Sequence, residues 1–283
     1  MERDPAMREH DHDGGLARDL PLLTRRRFVA GLGLAGMAGA AAWLLGGAVG
    51  QAEANLTGTA ADGAVCLKDP AETNGPFPAD GTNARDGQTV NVLSQSGVVR
   101  GDMRASFNGL EGVAAGVPMV LDIALVDVGN ACAPLAGHAI YLWHCDAEGR
   151  YSLYDLPDQN YLRGVAVTDA AGQARITTIV PGCYAGRWPH IHFEIFTSLD
   201  AAVSGKANLL TSQFAFPQAG MVAVYERDAR YPASKSNLTR LTLAGDMVFA
   251  DNSAEQIAAQ TVQMTGDAAA GFAGLVTVGI VTG

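Results

Sequence analysis

From residue 119 onward the chain is cut into short apolar runs, and this punctuation is the feature that most restricts its fold. The runs cover residues 119–128, 138–145, 174–180, 191–196, 209–216, 221–225, 238–243 and 275–281, and each reads as a strand. Between them stand turn-forming clusters such as Gly129-Asn130-Ala131-Cys132-Ala133-Pro134, Asp146-Ala147-Glu148-Gly149 and Pro181-Gly182. Many short runs rich in β-branched residues, spaced by Gly, Pro, Asn and Asp, imply strands that bury their apolar faces against a second sheet. The expected fold class is therefore all-β, a β-sandwich with little helix. The stretch 253–262 is the one helical pattern of note. Residues 55–102 are rich in Gly, Asn, Asp and Thr, show no sustained period, and read as an ordered but irregular arm. The expected organisation is a leader over 1–54, the arm over 55–102 and the sandwich over 103–283.

The leader carries Thr24-Arg25-Arg26-Arg27-Phe28-Val29, a twin-arginine pattern, followed by an uncharged stretch rich in Ala, Gly and Leu over 29–49. Ala52-Glu53-Ala54 supplies a small-x-small cleavage site. The competing reading is a membrane anchor, since a bilayer needs about 20 apolar residues. The paired arginines favour cleavage and export to the periplasm or the extracellular space, with no stable anchor afterwards. All four cysteines, Cys66, Cys132, Cys145 and Cys183, lie beyond the leader. An oxidising compartment allows one or two disulfides, in three connectivities between which the sequence does not choose. The net charge of −10 and the absence of a basic stripe exclude a nucleic-acid partner.

Beyond the leader the histidines are His138, His144, His190 and His192. In a strand, alternate side chains share a face, so the imidazoles of His190-Ile191-His192 project together from Cα atoms roughly 6.5 Å apart. That separation lets both converge on one metal ion, although a chance His-x-His in a strand is as common as a metal site. Tyr184 lies six residues before His190 and Arg187 three before it. A tyrosine must lose its proton, near pKa 10, to become a ligand, and the metal must drive that loss. Phenolate favours the ferric ion, in contrast to the two-histidine, one-carboxylate sites of ferrous oxygenases.

The segment Pro181-Gly182-Cys183-Tyr184-Ala185-Gly186-Arg187-Trp188-Pro189-His190-Ile191-His192 resembles the signature of the intradiol ring-cleavage dioxygenases. The resemblance extends to Trp143-His144-Cys145-Asp146-Ala147-Glu148-Gly149-Arg150-Tyr151-Ser152, and to Leu162-Arg163-Gly164 with Thr168-Asp169. It also takes in Thr177-Thr178-Ile179-Val180 and, in the arm, Glu72-Thr73-Asn74-Gly75-Pro76-Phe77, and so covers roughly 66–216. It implies a mononuclear non-haem Fe(III) held by Tyr151, Tyr184, His190 and His192. Arg187 would stand beside the bound ring, where its charge stabilises an anionic substrate. Tyr184 would also act as a base, and Gln213 would lie near the same site, on a looser match. Gly75 and Pro76 would touch substrate through backbone, Arg163 would give support on the substrate side or serve as a salt-bridge partner, and Trp143 would edge the site or pack in the core. The implied reaction joins a small aromatic diol of the catechol type with O2 and gives a muconate-type diacid. The resemblance is nearer to the protocatechuate type than to the catechol type, whose long helical linker has no room here, and it is compatible with a homo-oligomer.

Duller readings accompany these. Pro-Gly-x-Tyr also ends strands in secreted transthyretin-like and carboxypeptidase-regulatory sandwich modules, which bind without catalysis and pack the tyrosine in the core. Tyr154 and Tyr161 are rivals of Tyr151, which is preferred because it follows the Gly149-Arg150 turn. His144 alternates with Ile140 and Leu142 and reads as a packed or hydrogen-bonded residue, His138 as a strand end. A cupin would place a glutamate farther on and a later histidine. Glu194 is too close, and no histidine follows His192.

Overall fold

The computed structural model describes residues 56–282; the expected leader lies outside them. The arm opens with a hairpin of β1 (Thr57–Thr59) and β2 (Val65–Leu67) and continues with a second of β3 (Asp80–Arg85) and β4 (Gln88–Asn91). There follow β5 (Pro118–Asp127), β6 (Ala133–Pro134), β7 (Ala139–Trp143), β8 (Arg163–Val167), β9 (Gln173–Ile179) and β10 (His190–Phe196). Helix α1 (Leu199–Val203) and strand β11 (Leu210–Ala215) precede α2 (Gln218–Arg227), α3 (Pro232–Leu238) and α4 (Ala254–Gln260). The chain closes with β12 (Gln263–Asp267) and β13 (Gly271–Ile280).

Two sheets face each other. One is antiparallel in the order β11-β10-β7-β8, and the other runs β12-β13-β5-β6 with β9 also on β5. The β5–β13 pair is parallel, from Phe272 opposite Met119 to Ile280 opposite Asp127. Alternation in β5 puts Met119, Leu121, Ile123 and Leu125 inside, where they meet Ile140, Leu142, Ile191, Phe193 and Ile195 of the facing sheet.

Strand β10 is buried along its whole length because its other face is covered as well. There a second cluster packs Tyr141, Trp143 and Val165 against Phe77, Ala79, Val92, Leu93 and Val98 of the arm. His190, His192 and Glu194 project into this second interior. The last residues of the arm bridge the sheets, pairing Val99 with Val165 and Asp102 with Thr177.

The strand expectations at 221–225 and 238–243 are corrected. In α2 the apolar residues Met221, Val224 and Tyr225 repeat at helical spacing and bury one face, and Pro217 stands at its N-cap. Residue Leu238 ends α3, and 243–245 form a 3-10 turn. The helical pattern at 253–262 appears as α4, opened by a capping box in which Ser253 and Gln256 exchange hydrogen bonds. Of the disulfide connectivities the structure has Cys66–Cys132, and Cys145 and Cys183 remain buried thiols. Among the described residues no helix is long and apolar enough to cross a membrane.

Candidate metal centre

Strand β10 fixes the two imidazoles. The His190 Nδ1 lies 2.5 Å from the Trp188 carbonyl, which holds that nitrogen as the N–H donor and turns Nε2 inward as a bare lone pair. The Nε2 atoms of His190 and His192 approach to 3.1 Å, with the rings edge to face at 4.7 Å.

Two loops bring the tyrosines to the same point. Tyr151 follows the 146–149 turn, whose Asp146 accepts from the backbone N–H groups of Glu148 and Arg150 and pairs with the Arg150 guanidinium. Its hydroxyl lies 3.2 Å from His190 Nε2. Tyr184 follows Pro181-Gly182-Cys183, and its ring lies 5.8 Å from both the Tyr151 and His190 rings. The loops cross in close contact. A Cβ on Gly182 would strike the Asp146 carbonyl and come within 2.6 Å of Ser234 Oγ, and one on Gly149 would stand 2.8 Å from the Cys183 carbonyl. Gly149 also has φ +85°, open to glycine at no steric cost.

Two Tyr, two His, all buried, therefore form one cluster. Bonds of roughly 2.1 Å at near a right angle set adjacent ligands of one ion about 3.0 Å apart, which matches the 3.1 and 3.2 Å between the three closest donors. Burial, with the Arg187 charge added, pushes the His190 pKa well below the ordinary imidazole value. His192 is lowered likewise by burial, then by His190 and Arg187. Both rings are thus neutral and ready as ligands, whereas burial holds the Tyr151 phenol well above its usual value. A phenol there ionises only if a cation replaces its proton. The donor chemistry fits a hard trivalent ion. Among the described residues no group of three or more His, Cys, Asp or Glu is placed to hold a metal, so the anionic donors available here are phenols.

Arg187 is fully buried beside the cluster. Its Nε donates to Asp246 Oδ2 at 3.1 Å, and its Nη2 donates to Gln213 Oε1. Gln213 stands opposite His192 in the β10–β11 register, and its Nε2 donates to the Thr73 carbonyl of the arm. The structure thus brings Gln213 to Arg187 and not to the four donors directly. In the arm, Gly75 takes φ +66° and donates its N–H to Thr73 Oγ1, and the Pro76 carbonyl accepts from Asn83 Nδ2. Phe77 packs its ring 4.9 Å from Tyr151 and 5.0 Å from Tyr154.

Two of the expected substrate-side residues make extensive contacts within the protein. Arg163 spends all three nitrogens on protein: Nε on Ser152 Oγ, Nη2 on the Ser152 carbonyl, Nη1 on the Pro78 carbonyl and Tyr141 hydroxyl. It ties the Tyr151 loop to the arm and presents no open donor edge to a ligand. Trp143 is fully buried and stacks flat on His192, 4.9 Å and 4° away, with Tyr141 on its other side. It backs a donor ring. His144 is buried between the Cys145 carbonyl and Thr178 Oγ1, as its alternation suggests. Asp246 was not legible: it follows a Gly in a turn-forming stretch and lies 59 residues from Arg187. Phe77 was visible as part of the arm motif, but nothing in the sequence showed that its ring would cover Tyr151.

The family model described as Dioxygenase matches residues 99–225. The protocatechuate 3,4-dioxygenase beta chain of Burkholderia cepacia is 35% identical over 98 residues, which are 30% of this chain and 41% of that one. The match thus spans well under half the length of that relative. An intradiol ring-cleavage dioxygenase from Tetranychus urticae superposes with a TM-score of 0.57 at 20% identity, over 76% of this chain and 95% of that one. A further dioxygenase structure gives 0.56 at 21% identity with the same coverage. These two likenesses establish the shared fold.

Proposed function

We propose that this chain, which belongs to the intradiol ring-cleavage dioxygenase family, opens the ring of a catechol-type diol between its two hydroxyl-bearing carbons. Both atoms of O2 enter the product, a muconate-type diacid. The observation that carries the reading is the convergence of His190 Nε2, His192 Nε2 and the Tyr151 hydroxyl within 3.2 Å, with Tyr184 closing the group.

Tyr151, Tyr184, His190 and His192 would hold a non-haem Fe(III). When bound, the ion would supply the Lewis acidity that favours loss of the diol's protons and the redox chemistry that its reaction with dioxygen needs. The protein does the rest. Neutral imidazoles offer lone pairs without a proton to lose, and the Trp188 carbonyl keeps the His190 ring oriented. Tyr184, which would be a phenolate while it holds the ion, would take back one of the two protons that the diol gives up, and the other would pass to solvent. Arg187 sets a fixed positive charge beside the anionic ring, in a site dry enough for that charge to act strongly. Gly75, Pro76 and Phe77 form the wall that selects substrate shape and keeps water from the ring.

The disulfide and the twin-arginine leader together support export, in which the folded chain reaches the periplasm or the exterior.

Ferric loading tests the site. Tyrosinate-to-iron(III) charge transfer should colour the protein red-brown, and Tyr184→Phe should shift or abolish the band while the far-ultraviolet spectrum is retained. An unchanged band would remove Tyr184 from the metal. Oxygen uptake with catechol, protocatechuate and hydroxyquinol tests the reaction. A folded protein that takes up no iron would leave only the secreted binding-module reading.

A further inference from the structure

We propose that Asp246 is a positioning residue of this reaction: its carboxylate fixes the Arg187 guanidinium against the metal-donor cluster without itself touching diol or metal. The inference rests on the functional reading above and extends it to the region after residue 216, where no part of the signature lies.

The carboxylate is completely buried and fully engaged. Its Oδ2 accepts from Arg187 Nε at 3.1 Å and from the Trp188 backbone N–H at 2.6 Å. Its Oδ1 accepts from the backbone N–H of Val248 at 2.8 Å and of Phe249 at 3.3 Å. Three backbone donors, with Val248 and Phe249 themselves buried, leave the group no freedom to turn. On the neighbouring nitrogen Gln213 Oε1 accepts from Nη2, and Gln213 is held in turn by its strand and by the Thr73 carbonyl. A planar guanidinium anchored at Nε and Nη2 by two rigid acceptors has its plane and direction fixed. The consequence reaches the donors: Trp188, whose N–H sits on Asp246, offers its carbonyl to His190 Nδ1.

Energetics support a role beyond folding. Both members of the pair have no exposed side-chain surface. A buried ion pair gains little net stability over apolar packing, because desolvation of both charges offsets their attraction. Placed at a reacting ring, a fixed charge lowers the barrier without reorganising.

The test uses ferric-loaded protein as wild type, Asp246→Asn, Asp246→Glu, Arg187→Gln and the double variant Arg187→Gln/Asp246→Asn. Oxygen uptake is followed with catechol, protocatechuate and hydroxyquinol, beside the visible spectrum. Asp246→Asn should keep the charge-transfer band and a KM within about threefold, and lose roughly 10- to 100-fold in kcat, the scale of a small misplacement. Asp246→Glu should recover part of that loss. In the Arg187→Gln background, Asp246→Asn should cause no further fall in kcat. If Asp246→Asn fails to fold around an uncompensated cation, the double variant carries the test, since it removes both charges. A double variant well below Arg187→Gln in kcat, or Asp246→Asn with the kcat of wild type, would overturn the inference and leave the reaction intact. Wild type that holds iron yet consumes no oxygen with any diol would overturn the reaction, and this inference with it.

Discussion

At the scale of single residues, burial is the dominant cause of altered protonation, and it acts in opposite directions on the two kinds of donor. It pushes the His190 and His192 pKa values down and the Tyr151 pKa up, so burial favours the neutral form of all three. The same physics operates far from the cluster at Asp69. Its carboxyl is buried, with one oxygen on the Gly279 N–H, and burial raises its pKa from 3.8 to about 7. The sign follows directly. Above the unfolded value the unfolded chain gives up this proton while the folded chain keeps it. The stability this contributes is complete below about pH 4, and it is lost as pH rises through about 7. An amide cannot ionise, so Asp69→Asn should melt higher than wild type at pH 8, by an increment that shrinks steadily toward pH 4.5. Thermal melts of the two proteins across that range measure the difference, in which the other titrating groups cancel. A gap independent of pH would mean that Asp69 is ionised in the folded protein.

At the scale of elements, β10 and two crossing loops make the site. The strand presents Ile191, Phe193 and Ile195 to the sandwich core and His190 and His192 to the arm, so one element belongs to two interiors. The loops carrying Tyr151 and Tyr184 touch at Gly182 and Gly149, where backbone stands against backbone. Gly182→Ala should therefore force the loops apart, lower stability by about 1–3 kcal/mol and cut iron uptake more than its effect on folding explains. Metal analysis of refolded, soluble variant checks this, and full iron occupancy would show that the loops tolerate the shift. Much of this scale was legible. The alternation of 119–128 and 191–196 located the strands, because local spacing decides it, and the family resemblance carried by the order Tyr, Arg, His, His is what pointed to the candidate cluster. Residues 221–225 were misread, since a short apolar run obeys strand and helix patterns alike and only packing shows which face is buried. The Arg163 contacts and Asp246 were beyond reach for a different reason. Each depends on which distant carbonyl or carboxylate arrives at a guanidinium, and no local spacing records that.

At the scale of the whole molecule, three layers are stacked: the β5 sheet, the β10 sheet and the arm. The arm is held over the cluster at several points. Ser212 Oγ donates to the Pro70 carbonyl, the Glu72 N–H to the Thr211 carbonyl, and Tyr141 and Arg163 both to the Pro78 carbonyl. The Cys66–Cys132 disulfide lies elsewhere, joining the start of the arm to the turn after β5, with the half-cystines 66 positions apart in sequence. A cross-link over a loop of that length restricts the unfolded chain by roughly 4 kcal/mol on the chain-entropy account, and commonly delivers 2–4. None of the arm's contacts near the cluster runs through it. The disulfide should thus govern global stability and leave the site alone. Cys66→Ser/Cys132→Ser should lower the midpoint of guanidinium unfolding by about 2–4 kcal/mol of stability, while the ferric charge-transfer band in native buffer is unchanged. Denaturation curves and visible spectra on the same samples separate the two effects. If the double serine variant lost the band while still folded, the arm would be held at the cluster by its far end and not by the hydrogen bonds around Pro70, Glu72 and Pro78.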